Sequence, residues 1–124
     1  MKMEKVVLFD GTNLDGWVTR GNGEAPNWKV EDGIMTVGNN DIISKYEFGD
    51  AHIHVEFRCP DMPDCTGQAK ANSGVYVHGC YEIQVLDSYG IEPPLNNDCS
   101  GIYSIYAPLA NACKPALEWQ TYDI

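Results

Sequence analysis

Two runs of strict alternation constrain this chain more than any other feature: Gly74–His78 and Tyr81–Asp87, separated by His78-Gly79-Cys80. Side chains on a strand alternate between the two faces of its sheet, whereas a helix brings every third or fourth residue together. Both runs therefore read as strands, joined as a hairpin. Val75, Val77, Ile83, Val85 and Asp87 fall on one face, and Tyr76, His78, Glu82 and Gln84 on the other. A face so rich in polar and titratable groups is either solvated surface or the floor of a site.

The same period recurs along the chain. His52–Arg58 alternates cleanly, with Ile53, Val55 and Phe57 on one side and His52, His54, Glu56 and Arg58 on the other. Val6–Phe9, Trp28–Val30, Ile34–Val37, Ile42–Ser44, Ile102–Tyr106 and Trp119–Ile124 read as further short strands. Asp32-Gly33 between two apolar runs is a hairpin signal, because Asp-Gly accepts the positive φ angles of the tightest antiparallel turns. Cys59–Ala71, Ile91–Ser100 and Ala107–Leu117 read as loops without helical period. Trp17 and Trp28 are candidate core anchors. Short strands, frequent turns and no amphipathic helix predict an all-β sandwich, as one domain over residues 1–124.

Composition narrows the partners. Eight Lys+Arg against 18 Asp+Glu give a net charge of −10, which opposes binding to nucleic acid or to an anionic membrane surface. No stretch approaches the length of a membrane span, and the charged start Met1–Lys5 does not resemble an export signal, so the chain as written reads as cytoplasmic. The five cysteines (Cys59, Cys65, Cys80, Cys99, Cys113) have no zinc-ribbon or CxxC spacing. Free thiols are the default expectation; in an oxidising compartment Cys59–Cys65 and Cys99–Cys113 could each close a loop. His52, His54 and Glu56 have the chemistry of metal ligands, but a row of polar residues on a solvated strand face is the commoner explanation, and no metal or other cofactor is expected.

LFDGTNLDGW (Leu8–Trp17), WKVEDG (Trp28–Gly33), EFR (Glu56–Arg58), NSGVY (Asn72–Tyr76), YEIQVLDSYG (Tyr81–Gly90), GIY (Gly101–Tyr103) and EWQTYDI (Glu118–Ile124) resemble, in order, the 3-keto-disaccharide hydrolase domain family. The resemblance implies a concanavalin A-like jelly-roll sandwich related to the laminarinase and laminin-G folds. Family domains run on past the position of Ile124, and many carry an export or lipoprotein leader. The sandwich is therefore expected to lack its last strands and to be completed by strand exchange with a second copy, as a homo-oligomer, or to be an inactive remnant.

Related jelly-roll glycosidases carry two carboxylates four residues apart on one strand, and a retaining mechanism needs carboxyl groups about 5–5.5 Å apart. The residue four after Glu82 is Leu86, so double displacement is disfavoured. The family's substrates imply other chemistry. A ketone at C3 of a sugar acidifies the C2 hydrogen, and one base suffices to begin an elimination that expels the C1 substituent. On this resemblance Glu82 is the expected base, with His78 as auxiliary acid or base. Gln84 and Arg58 are expected as hydrogen-bond donors to a small carbohydrate. Glu56 and Asp87 complete the polar set, and Tyr76, Trp119, Tyr89 and Tyr103 offer stacking faces. The alternative from another class is a carbohydrate-binding module without catalysis.

Overall fold

The computed structural model describes residues 4–124. Its regular elements are strands β1 (Trp17–Thr19), β2 (Lys29–Glu31), β3 (Ile34–Thr36), β4 (Ile42–Ser44), β5 (His54–Arg58), β6 (Ser73–Val77), β7 (Tyr81–Val85) and β8 (Trp119–Asp123), with a single 3-10 turn at Gly67–Ala69. Every pairing is antiparallel and joins two strands: β1 with β4, β2 with β3, β5 with β8, and β6 with β7. The chain divides into two compact units, one ending at Ala51 and the other spanning His52–Ile124.

In the first unit, β2 and β3 form the hairpin that Asp-Gly predicts. Asp32 and Gly33 both have positive φ, 53° and 78°, and Glu31 pairs directly with Ile34. A side chain at Gly11 would sit 3.2 Å from Gly33 Cα, so the turns of the LFDGTN and WKVEDG motifs stack backbone on backbone. Asp10 closes the first turn by accepting the Thr12 N–H (3.0 Å) and hydroxyl (2.6 Å). These bonds hold its carboxyl below the usual value.

Val6–Phe9 is not a strand. The carbonyl of Leu8 accepts the Trp17 indole N–H at 2.8 Å instead of a ladder bond, and Val6 and Val7 are exposed. An apolar run alone does not supply the partner strand that a ladder requires. Trp28 is half-buried, with its indole N–H donated to Asn40 O at 3.0 Å.

In the second unit, β6 and β7 pair over their full length, from Ser73 with Val85 to Val77 with Tyr81. The strand ends at Val77. His78 and Gly79 turn the chain with φ of 55° and 67°, so His78 sits in the hairpin turn rather than on the strand face. Positive φ at both residues is the demand of a type I′ turn, and His tolerates it better than most side chains.

The predicted strand Ile102–Tyr106 is instead a tight turn closed on itself, with Ile102 N–H to Tyr106 O at 2.9 Å and Tyr106 N–H to Ile102 O at 3.0 Å. Its leading end still lies along the free edge of β7. Ser100 N–H reaches Gln84 O, Gln84 N–H reaches Gly101 O, and Tyr103 N–H reaches Glu82 O, at 2.9–3.0 Å.

The β5–β8 ribbon turns Val55, Phe57, Gln120 and Tyr122 to one side, where the Phe57 and Tyr122 rings meet at 4.6 Å. The Tyr122 hydroxyl donates to Gln84 O at 2.5 Å and accepts the Ser100 N–H at 2.9 Å, tying this ribbon to the edge of β7. Beside it the chain is most deeply buried, at Leu86 (1% exposed), Cys59 (2%), Cys99 (4%) and Val85 (8%). That burial removes apolar surface from water at about 25 cal/mol per Å².

Candidate functional site

The β6–β7 hairpin presents Gly74 and Tyr76 beside Gln84 and Glu82 on one face, since Gly74 pairs with Gln84 and Tyr76 with Glu82. Residues directly opposite in an antiparallel pair share a face, and diagonal neighbours remain within reach of a long side chain. Glu82 uses that reach and lies across the backbone of Gly74. A Cβ added at Gly74 would come within 2.7 Å of both Glu82 Cγ and Cδ, and closer still to Oε2. Only glycine at 74 leaves room for this carboxylate. Glu82 is half-buried, and Tyr76 beside it is 45% exposed. The face thus combines a fixed carboxylate with a solvent-facing aromatic ring.

Gln84 shares this face but not its accessibility. It is 1% exposed, and its amide nitrogen donates to Gln68 Oε1 (3.0 Å) and Asn97 O (3.1 Å). Both amide hydrogens are committed, so Gln84 braces the 3-10 turn and the Asn97 loop beneath the hairpin and is not available as a donor to sugar oxygens. Its Oε1 is buried without a hydrogen bond. Asp87 is likewise turned inward. Its carboxylate is 3.4 Å from Lys70 Nζ and accepts the Tyr89 N–H at 3.4 Å, so it anchors the segment before β6 and does not project toward a ligand. His78 stands exposed at the hairpin tip.

The remaining predicted residues gather on the other ribbon. On the exposed side of β5–β8, His54 pairs with Asp123, Glu56 with Thr121 and Arg58 with Trp119. The Arg58 guanidinium lies 5.1 Å from the centre of the Trp119 ring, a cation–π contact on an indole that is 46% exposed. At the other end, His52 Nε2 and His54 Nδ1 converge on one oxygen, Asp123 Oδ1, at 3.1 and 2.8 Å, and Glu56 lies 3.7 Å from His54 Nε2. The hydrogen bond to Asp123 raises the His54 pKa and lowers that of Asp123. No group of three or more His, Cys, Asp or Glu among the described residues is arranged to hold a metal ion. A shallow cleft in the first unit, lined by Leu14, Trp17, Val18, Ala25 and Lys45 among others, contains none of the predicted site residues.

Several residues that shape these faces carry no strong sequence signal. Gln68 and Asn97 lie in loops, and Tyr122 is one aromatic among many. Gly74 is different. A glycine inside an alternating strand signals close approach of another group, and the diagonal offset from Glu82 identifies that group.

The profile of the 3-keto-alpha-glucoside-1,2-lyase-like domain matches residues 4–124. No curated protein matches the chain. Among solved structures, a protein of Parabacteroides distasonis ATCC 8503 provisionally designated a glycosyl hydrolase, solved at 2.13 Å, superposes with a TM-score of 0.84 at 40% identity, over 95% of this chain and 50% of its own. A second protein of the same organism and designation, solved at 1.70 Å, gives a TM-score of 0.63 at 19% identity, over 95% of this chain and 61% of its own, and supports the fold alone. The chain therefore spans about half to three-fifths of the length of these two relatives. The fold is all-β, of the jelly-roll class that these neighbours share. With the profile covering the chain from residue 4 to its last residue, the chain belongs to the 3-keto-alpha-glucoside-1,2-lyase-like domain family.

Proposed function

We propose that this chain supplies the catalytic face of a carbohydrate-active protein that cleaves 3-keto-glycosides by base-initiated elimination, with Glu82 as the base. The observation that carries the reading is the diagonal contact of the Glu82 side chain with Gly74: a strand glycine gives a half-buried carboxylate a seat on a polar face. A positioned base is what the chemistry asks of the protein first. The Glu82 carboxylate takes the C2 proton, and the electrons of that bond pass into the C2–C3 enolate. When the C3 carbonyl re-forms, the C1–C2 double bond forms and the C1–O bond breaks. The departing oxygen takes a proton from an acid, the role proposed for His78. Addition of water across the new double bond would give net hydrolysis. In this reading Arg58, Glu56, Trp119 and Tyr76 bind the sugar, with Arg58 as the charged donor and the two aromatic rings as stacking surfaces.

The Arg58–Trp119 pair favours a second reading, a binding module without catalysis, because an exposed indole beside a charged donor can hold a sugar with no base involved. Glu82→Gln separates the two. Elimination predicts that cleavage of a 3-keto-glycoside falls about 100-fold or more, while calorimetric binding of the sugar persists. Cleavage by Glu82→Gln at the parent rate would end the elimination reading, and sugar binding without turnover by the parent protein would favour the module.

A further inference from the structure

We propose that Tyr103 is a second catalytic residue: its phenol O–H donates to the C3 oxygen of the keto sugar and stabilises the enolate formed when Glu82 takes the C2 proton. This role rests on the elimination reading above, in which negative charge collects on the C3 oxygen as the C2–H bond breaks. Such charge is stabilised best by a donor already in place before it forms. Gln84 is committed to Gln68 and Asn97, and Arg58 lies on the other ribbon beside Trp119.

The register of the sheet places Tyr103 beside the base. Ile102 pairs directly with Ile83 on the free edge of β7, and the Tyr103 N–H donates to Glu82 O at 2.9 Å. Alternation turns the neighbours of a facing pair to the other side of the sheet. Glu82 and Tyr103 therefore share a face, and Tyr76 joins them from β6. The three form a row across the sheet, with the carboxylate between two exposed tyrosines; Tyr103 is 40% exposed. Facing residues in such a row have Cβ atoms about 5 Å apart.

The adjoining row of the same face is closed. Gln84 lies between Gly74 and Gly101, and a Cβ at Gly101 would come within 2.9 Å of Asn96 O and 3.1 Å of Asp98 O. The open ground is the row that holds Glu82 and the two tyrosines. Tyr103 is also held there by the backbone. Its own N–H is fixed to Glu82 O, Ser104 N–H donates to Asn96 O at 3.2 Å, and the bond from Tyr106 N–H to Ile102 O closes the turn behind it. Its hydroxyl, by contrast, has no hydrogen-bond partner among the described residues. A phenol fixed at its backbone and uncommitted at its oxygen meets the demand for a preorganised donor.

Glu82 leans toward β6, over Gly74, whereas Tyr103 stands on the other side of β7. Carboxylate and phenol thus approach a bound sugar from opposite sides, one at C2–H and the other at the neighbouring C3 oxygen. When the C2–H bond breaks, its proton passes to the Glu82 carboxylate and its electron pair forms the C2–C3 double bond. The C3–O π pair becomes a lone pair on oxygen. The Tyr103 O–H donates to that oxygen and keeps its own proton.

The test isolates enolate formation with a 3-keto pyranose that carries only hydrogens at C1, so that it can enolise but has nothing to expel. Proton NMR in deuterated water follows exchange of the C2 hydrogen on the full chain. Tyr103→Phe keeps the ring and removes one exposed oxygen. It should slow exchange at saturating sugar by about 100-fold, the cost of losing one oxyanion donor, with the half-saturating concentration little changed. Tyr106→Phe, at the far end of the same turn, should exchange at the parent rate. Parent-rate exchange in Tyr103→Phe, while Glu82→Gln has lost it, overturns the role of Tyr103 and leaves the base reading standing. An equal loss in Tyr106→Phe, or weaker binding with the saturated rate intact, also overturns it, since the turn or the binding surface would then carry the effect. Undiminished exchange in Glu82→Gln, or none above the buffer rate in the parent, overturns the elimination reading itself and the role of Tyr103 with it.

Discussion

The two ribbons of the second unit, β6–β7 and β5–β8, carry the same kind of sequence and end in different chemistry. Both are five-residue antiparallel pairs with polar residues on alternate positions. On β5–β8 the polar face stays open, so His54 meets Asp123 and Arg58 meets Trp119 across the strands, with Glu56 beside His54 on the same strand. On β6–β7 the polar face is divided. Gln84 is sealed by Gln68 and Asn97, while one position along the face Glu82 folds over Gly74 and remains half-buried. Alternation determines which residues share a face. What covers that face is decided by loops distant in sequence, and that cover separates a bracing residue from a reactive one.

The contrast can be broken most sharply at Gly74. Gly74→Ala should push the Glu82 carboxylate aside and lower turnover of a 3-keto-glycoside by about 100-fold, the cost of misplacing a catalytic group by about 1 Å. Gly49→Ala, where a Cβ meets nothing within 4 Å, should leave turnover unchanged. Parent-level activity in Gly74→Ala would show that the seat does not matter.

At Gln84 the expected effect falls on stability. Gln84→Met keeps the bulk but removes the Gln84 donor from Gln68 Oε1 and leaves Asn97 O with the Gln68 amide alone, and urea denaturation should report a loss of about 1–3 kcal/mol. A loss of sugar affinity with stability intact would return Gln84 to the binding residues.

On the open ribbon the effects should be smaller. A double-mutant cycle of Arg58→Ala and Trp119→Ala should give a coupling of about 0.5–1 kcal/mol in stability, the range for an exposed cation–π pair. Both single variants should weaken sugar binding if this face is part of the site.

The smallest effect concerns pH. The His54 pKa is raised from its ordinary 6.5, so its contribution is fully present below that value and is lost as pH rises through the folded pKa. Asp123 is lowered from 3.8, so its contribution is present above that value and lost as pH falls through its own folded pKa. The tie between them is therefore strongest between about pH 4 and 6.5. An NMR titration should show His54 above its ordinary value, returning toward it in Asp123→Asn; an unchanged His54 titration in that variant would contradict the geometry.

Much of this was legible in the sequence. The all-β class, the Asp-Gly hairpin and the shared face of Tyr76 and Glu82 follow from period and turn chemistry alone. Three features did not. Val6–Phe9 lacks a ladder because Trp17 takes the Leu8 carbonyl, a contact across the chain that no local pattern encodes. Ile102–Tyr106 closes on itself, although its apolar spacing reads as a strand. The motif around Asp87, like that of Gln84, points to a ligand, but Lys70 reaches Asp87 from the segment before β6. For Leu8 and Asp87 a residue outside the local pattern supplies the partner, whereas Ile102–Tyr106 supplies its own.

The central claim is that Glu82 removes the C2 hydrogen of a 3-keto sugar. It is tested most directly by proton NMR of a 3-keto-glycoside in deuterated water, with the C2 signal followed against release of the C1 substituent. The account predicts that the parent protein converts the C2-protonated substrate and that a C2-deuterated substrate reacts more slowly, with both processes falling together in Glu82→Gln. Release of the C1 substituent by Glu82→Gln at the parent rate, with no sensitivity to deuterium at C2, would contradict it.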